Sequence, residues 1–186
     1  MCGRYQFTKE QLDEINQIIH ELDSKAITYK TGEIFPTDTA PIIQRQNEYA
    51  AMKWGFPKWD NKGVIINARS ETAHKKSMFS KSLLERRCVI PTTGFFEWQK
   101  KDSTKPKDKF LFQLNDSPIL YLAGIYNTFG DKDCFVILTR NANASISDIH
   151  DRMPVVLYKK EIEDWLYDNK FIDFVMNRDN VILTRY

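Results

Sequence analysis

The least ordinary chemistry in this chain belongs to its second residue, a cysteine that follows Met1 and precedes Gly3. Removal of Met1 would leave Cys2 with a free α-amine and a thiol on one residue. Such a 1,2-aminothiol attacks an aldehyde with its nitrogen to give an imine, then closes with its sulfur to a thiazolidine. Two covalent bonds then hold one carbon. An α-amine titrates near ~7.7–8.0 against ~10.4 for lysine, so much of it is nucleophilic at neutral pH. The thiol, ordinarily near ~8.5, needs only a modest electropositive neighbour, and Arg4 is close in sequence. A second-position cysteine taken alone is more often inert than reactive.

Three further segments carry suitable partners. In Asn67-Ala68-Arg69-Ser70-Glu71-Thr72, Asn67 offers an amide to position a nucleophile and Arg69 a fork for phosphate. The plain alternative makes Asn67 a turn residue and Ser70 a helix cap. In Gly94-Phe95-Phe96-Glu97-Trp98 a carboxylate stands in an aromatic run, where burial would raise its pKa and suit it to carrying a proton. In Ile149-His150-Asp151-Arg152-Met153-Pro154, His150 is the one histidine set in a compact polar cluster. His20 and His74 fall within helical patterns and read as surface residues.

These segments need elements to hold them. The spacing of Leu12, Ile15, Ile18, Ile19 and Leu22 predicts an amphipathic helix capped by Thr8. Short apolar runs over 33–54 and at 64–66 read as strands. A helix over 71–86 would put Met78, Phe79, Leu83 and Leu84 on its inner face. Strands follow at 88–90, 94–99, 110–114, 119–122, 134–138, 155–157 and 181–184, with a helix near 160–168. The lysine-rich stretch 100–109 reads as a solvated hairpin loop, with phosphate contact as the lesser reading. Strands in runs with irregularly interspersed helices favour an α+β fold. The expectation is a single domain over 1–186 built on a largely antiparallel, barrel-like β-sheet with flanking helices.

Composition narrows the function. The 186 residues carry 27 Lys+Arg against 25 Asp+Glu, a net charge of +2, which excludes a histone-like polycation but leaves room for a local basic groove. No window approaches the ~20 apolar residues of a membrane span, and the N-terminus lacks a secretory signal, so a cytoplasmic protein is expected. Three cysteines with no C-x-x-C pair argue against a disulfide framework, and three scattered histidines against a metal site. No metal and no cofactor is expected.

Five motifs in order resemble the SOS response-associated peptidase (SRAP) family, whose members crosslink covalently to abasic sites in single-stranded DNA. They are Met1-Cys2-Gly3-Arg4-Tyr5, Trp54-Gly55-Phe56-Pro57-x-Trp59, Asn67 to Thr72, Arg86-Arg87-Cys88 running into Pro91 and Gly94 to Trp98, and Ala142-Asn143 followed by Ile149 to Pro154. The resemblance implies Cys2 as crosslinking nucleophile, Asn67 orienting its amine, and Glu97 and His150 moving protons. It implies DNA contacts from Arg4, Arg69, Lys81 and Arg152, with Trp54, Pro57 and Trp59 near the displaced strand or duplex junction. The implied partner is single-stranded DNA with abasic sites, bound by a monomer away from membranes. Two positions depart from the family pattern: Phe96 stands where tyrosine is common, and Ser80-Lys81 follows Phe79 where an arginine is common.

Two rival readings use the same residues. Cys2 with His150 as base would make an N-terminal nucleophile hydrolase or thiol autopeptidase. Arginines and tryptophans alone would make a noncatalytic single-strand binding module.

Overall fold

The computed structural model describes residues 2–8, 13–45, 48–60, 62–99 and 108–186. Met1, Leu12 and the lysines between 100 and 107 lie outside them. The first part of the chain runs β1 (Tyr5–Phe7), α1 (Asp13–Ser24), β2 (Gly32–Ile34), β3 (Thr39–Gln44), β4 (Glu48–Trp54), β5 (Phe56–Pro57), β6 (Val64–Ile65) and β7 (Asn67–Arg69). The middle holds α2 (Ser70–Ala73), α3 (Ser77–Glu85), β8 (Arg87–Thr92), β9 (Gly94–Trp98), β10 (Lys109–Gln113), β11 (Leu120–Phe129) and β12 (Lys132–Asn141). The end holds β13 (Arg152–Pro154), β14 (Val156–Leu157), α4 (Ile162–Tyr167), α5 (Asn169–Asn177) and β15 (Thr184–Arg185).

Strands β12, β4, β3, β8 and β11 pair in a closed ring, since β11 returns to β12. The fold is the α+β, barrel-like one the sequence suggests. All the pairings in the ring are antiparallel except β12 with β4, and β7 also joins β12 in parallel. Closure leaves the barrel no free edges, and α3, α4 and β1 pack against β8 from outside. All six residues of β8 are buried accordingly. A second sheet, ordered β15-β10-β9-β1-β2, packs beside the barrel. Tyr5 links the two: its ring meets that of Trp54 at 5.1 Å, and Trp54 stacks on Phe135 of the barrel.

Charge is buried where it can be satisfied. Arg87 is wholly buried and donates to the carbonyls of Leu83 and Leu84 at 2.9 Å and Leu166 at 3.3 Å, to Trp165 O, and to Asn169 Oδ1 at 2.8 Å. Those carbonyls lie at the ends of α3 and α4, where helical oxygens lack partners. One guanidinium thus pins two helices to the barrel.

The expected helix over 71–86 is two helices, α2 and α3. Lys76 between them is extended at φ −88°, ψ 122°, so Ser77 starts a new helix and the 74–76 turn opens toward solvent. Phe79 and Leu83 face inward as expected, whereas Leu84 is half exposed, about 100° further round the helix. The 160–168 helix is α4, and α5 follows it directly because the Asp168 side chain accepts from the Lys170 amide and starts another turn. Of the 181–184 strand only Thr184 is in β15, which runs on to Arg185.

Candidate active site

The site is assembled by β1, which lies between β2 and β9. Tyr5 pairs with Phe95 and Ile34, and the Phe96 amide donates to the Arg4 carbonyl at 2.9 Å. This fixes the residues just after Cys2 against the strand that carries Glu97. Alternation along β9 sends Glu97 to the side opposite Phe96 and Trp98. Glu97 is 3 % exposed, and burial holds its carboxyl above the usual carboxylate range. Cys2 is fully buried, with its Sγ 3.8 Å from the Arg4 carbonyl.

Burial pushes the Cys2 thiol well above its ordinary pKa, and the Glu97 carboxylate pushes it further. The sequence suggests that Arg4 would depress that pKa. The guanidinium is instead engaged elsewhere: it meets Glu33 Oε2 at 3.2 Å and lies 4.1 Å over the Phe35 ring and 4.8 Å over Trp98.

Asn67 opens β7, and its register opposite Ile137 brings it to the same place. Its Nδ2 donates to the Cys2 carbonyl at 2.9 Å. Its Oδ1 is buried and has no hydrogen-bond partner among the described residues. The amide therefore grips the main chain of Cys2 and keeps a free acceptor.

His150 precedes β13. Its Nδ1 lies 2.9 Å from the Arg152 amide nitrogen and 2.8 Å from Asp151 Oδ1. One ring nitrogen cannot serve both at once: bare, it accepts from the amide; protonated, it donates to the carboxylate. The strand amide suits the tautomer with Nδ1 bare, while an Nδ1–H, in the other neutral tautomer or in the cation, would go to Asp151, 72 % exposed in its side chain.

The expected DNA contacts divide. Arg69 is exposed, and Lys81 is 69 % exposed with Glu85 at 3.9 Å. Trp59 is 93 % exposed in the turn after β5, and Pro57 is half-buried. That turn leaves the barrel at Gly55, whose φ of +117° suits glycine and where a Cβ would meet Val64 at 2.8 Å. Trp54 points the other way. It is fully buried, with its Nε1 donating to the Ile66 carbonyl at 3.0 Å, and belongs to the core. Arg152 is also inside, 7 % exposed, with its guanidinium taken up by Glu71, Asn141 and Thr139.

Two features escape sequence reading. A groove of about 590 Å³ opens beside Asn67 and is lined by Arg69, Lys75, Lys76, Met78 and Phe79. The paired lysines are a signal, though they read as helix surface until α2 and α3 separate. The other is a rim in which Lys109 reaches Glu33 and lies 3.8 Å over Phe96. Nothing in sequence joins residues 76 positions apart. Cys88 and Cys134 are buried in barrel strands. Among the described residues no group of three or more His, Cys, Asp or Glu could hold a metal, and no helix is long and apolar enough to cross a membrane.

A small α+β barrel that sets Cys2 within reach of a buried carboxylate and the Asn67 amide is the class of architecture the fold and the site define. The chain belongs to the SOS response associated peptidase (SRAP) family, whose model matches residues 1–176. It is 32% identical over 181 residues to the abasic site processing protein YoqW of Bacillus subtilis strain 168, covering 89% of this chain and 80% of that one. To the abasic site processing protein YedK of Escherichia coli K12 it is 30% identical over 179 residues, covering 89% and 79%. To the abasic site processing protein HMCES of Xenopus tropicalis it is 28% identical over 148 residues, 63% of this chain and 44% of that one. A solved protein from Bacteroides thetaiotaomicron has the same fold, with TM-score 0.78 and 24% identity over 100% of this chain and 91% of that one.

Proposed function

We propose that this protein processes abasic sites in single-stranded DNA by forming a thiazolidine crosslink through Cys2. The observation that carries the reading is the Asn67 amide on the Cys2 carbonyl, with the buried Glu97 carboxyl acting on the same residue. The names of the relatives support the substrate.

The ring-opened abasic sugar presents an aldehyde, and His150 is the acid-base group for opening the ring. After removal of Met1 the Cys2 amine adds to C1, forming the C–N bond of a carbinolamine. The free Oδ1 of Asn67 is an acceptor suited to aligning that amine. Glu97, whose pKa burial raises, is the group placed to pass a proton to the departing hydroxyl, and water leaves to give the imine. The sulfur then adds to the same carbon while its proton passes to the imine nitrogen. The sum is aldehyde plus aminothiol minus one water. The aldehyde that would drive β-elimination is consumed, so the strand is protected.

The elevated thiol pKa favours this order. A thiolate hydrolase needs its sulfur ionised first, against both burial and Glu97. An amine-first route asks for the thiol only after the imine has formed. Arg4, Arg69, Lys75 and Lys76 would take phosphates and Trp59 a base, with little preference for sequence.

The test is a denaturing gel of the protein with a single-stranded oligonucleotide carrying one abasic site. A shifted band that vanishes with Cys2→Ser, or with a residue added before Cys2, is expected. No shifted band would overturn the proposal and leave a binding module or hydrolase.

A further inference from the structure

We propose that Glu71 and Arg152 form a positioning pair that fixes the His150 ring in its Nε2-protonated form; this rests on His150 being the proton carrier of the reaction above. Arg152 Nη1 donates to Glu71 Oε1 at 2.7 Å and Asn141 Oδ1 at 2.6 Å, and Nη2 donates to Glu71 Oε2 at 2.9 Å and the Thr139 carbonyl at 2.6 Å. Two parallel hydrogen bonds to one carboxylate fix the plane of the guanidinium as well as its place. Its hydrogen bond to Glu71 holds the Glu71 carboxyl below the usual carboxylate range.

The pair ties together the two segments that carry Asn67 and His150. Glu71 lies in the first turn of α2, two residues after β7 ends, and Arg152 opens β13, two residues after His150. Strand β12 lies between, pairing Thr139 with Arg69 on one side and Asn141 with Arg152 on the other. The Arg152 side chain crosses that strand and anchors the start of β13. The same residue's main-chain amide is the donor to His150 Nδ1 at 2.9 Å. An Nδ1–H would go instead to Asp151 Oδ1, 2.8 Å from the same nitrogen; while the Arg152 amide holds Nδ1 as an acceptor, the neutral ring carries its proton on Nε2. Arg152 is therefore a positioning residue: a phosphate would have to displace Glu71 to reach its guanidinium.

The test needs no DNA for its first reading. Nitrogen-15 spectra of histidine-labelled protein at alkaline pH, with His150 assigned by His150→Gln, report which ring nitrogen carries the proton. The expected pattern is a bare Nδ1 in the parent protein and mixed tautomers in Glu71→Ala. The crosslinking rate of Glu71→Ala should fall about tenfold or more while single-strand affinity stays within about twofold. Glu71→Gln, which keeps the shape and one acceptor, should restore much of both and carries the test if the alanine variant does not fold. Parent-like tautomer and rate in both variants would overturn the proposal. So would lost affinity with an unchanged tautomer, which would make Arg152 a phosphate contact. If the parent protein forms no crosslink, the tautomer comparison still decides the pair.

Discussion

The Asn67 side-chain amide donates to the main-chain carbonyl of Cys2 at 2.9 Å, across 65 positions of sequence. The contact holds the second residue by its carbonyl and engages neither its nitrogen nor its sulfur. Asn67→Ala should lose about 1 kcal/mol of stability, the worth of one part-buried hydrogen bond. It should slow crosslinking by about tenfold or more through lost alignment. Thermal melts and single-turnover gels check the two numbers, and a slow variant with a parent melt would place the residue in the chemistry alone.

Glu97 should cost stability near neutral pH. Its folded pKa is raised by burial, so the folded state holds the proton more tightly than the unfolded chain. The linked stability is fully present below the ordinary carboxylate pKa and is lost as pH rises through the raised one. Glu97→Gln should therefore melt higher than the parent near neutral pH, with the gap closing toward pH ~4. The same variant should form or reverse the crosslink more slowly. Melts across pH that run parallel would contradict the burial argument.

Cys2→Ala keeps the amine and removes the sulfur. It should form an imine that borohydride traps, and should cut the strand at the abasic site, but give no heat-stable adduct. A stable adduct at parent yield would mean that another nucleophile does the work.

Trp54 and Trp59 lie five residues apart with opposite surroundings. Trp54→Ala should destabilise by about 3–5 kcal/mol, since it empties a packed site between Tyr5 and Phe135. Trp59→Ala should change stability by less than about 0.5 kcal/mol. It should weaken single-strand binding by about 1 kcal/mol or more if a base stacks there.

Glu33 holds both Lys109 and Arg4, and Lys109 is the main cause of its lowered pKa. A phosphate approaching either cation competes with this carboxylate. Glu33→Gln should tighten single-strand binding by about two- to fivefold at low salt, less at high salt. Titrations at two ionic strengths decide it, and equal affinities would show that the rim does not meet the strand.

Much of this was legible from residue order. Cys2, Asn67, Glu97 and His150 stood out as types able to do one chemistry, and runs of short apolar segments gave an α+β barrel. Those signals are local: a residue's chemistry and the periodicity of its neighbours are written in the chain. Whether a group is free or engaged is not, because partners come from remote segments. Arg4 reads as a neighbour of the thiol until β2 brings Glu33 and Phe35 to its guanidinium. Arg152 reads as a phosphate ligand until Glu71 arrives from 81 residues away and buries it. Trp54 and Trp59 share a motif, yet Trp54 on β4 enters the core and Trp59 in the turn after β5 faces solvent. Sequence determined which groups this protein owns. Folding decided which of them face one another and at what cost in lost water, and charge and acidity follow from that.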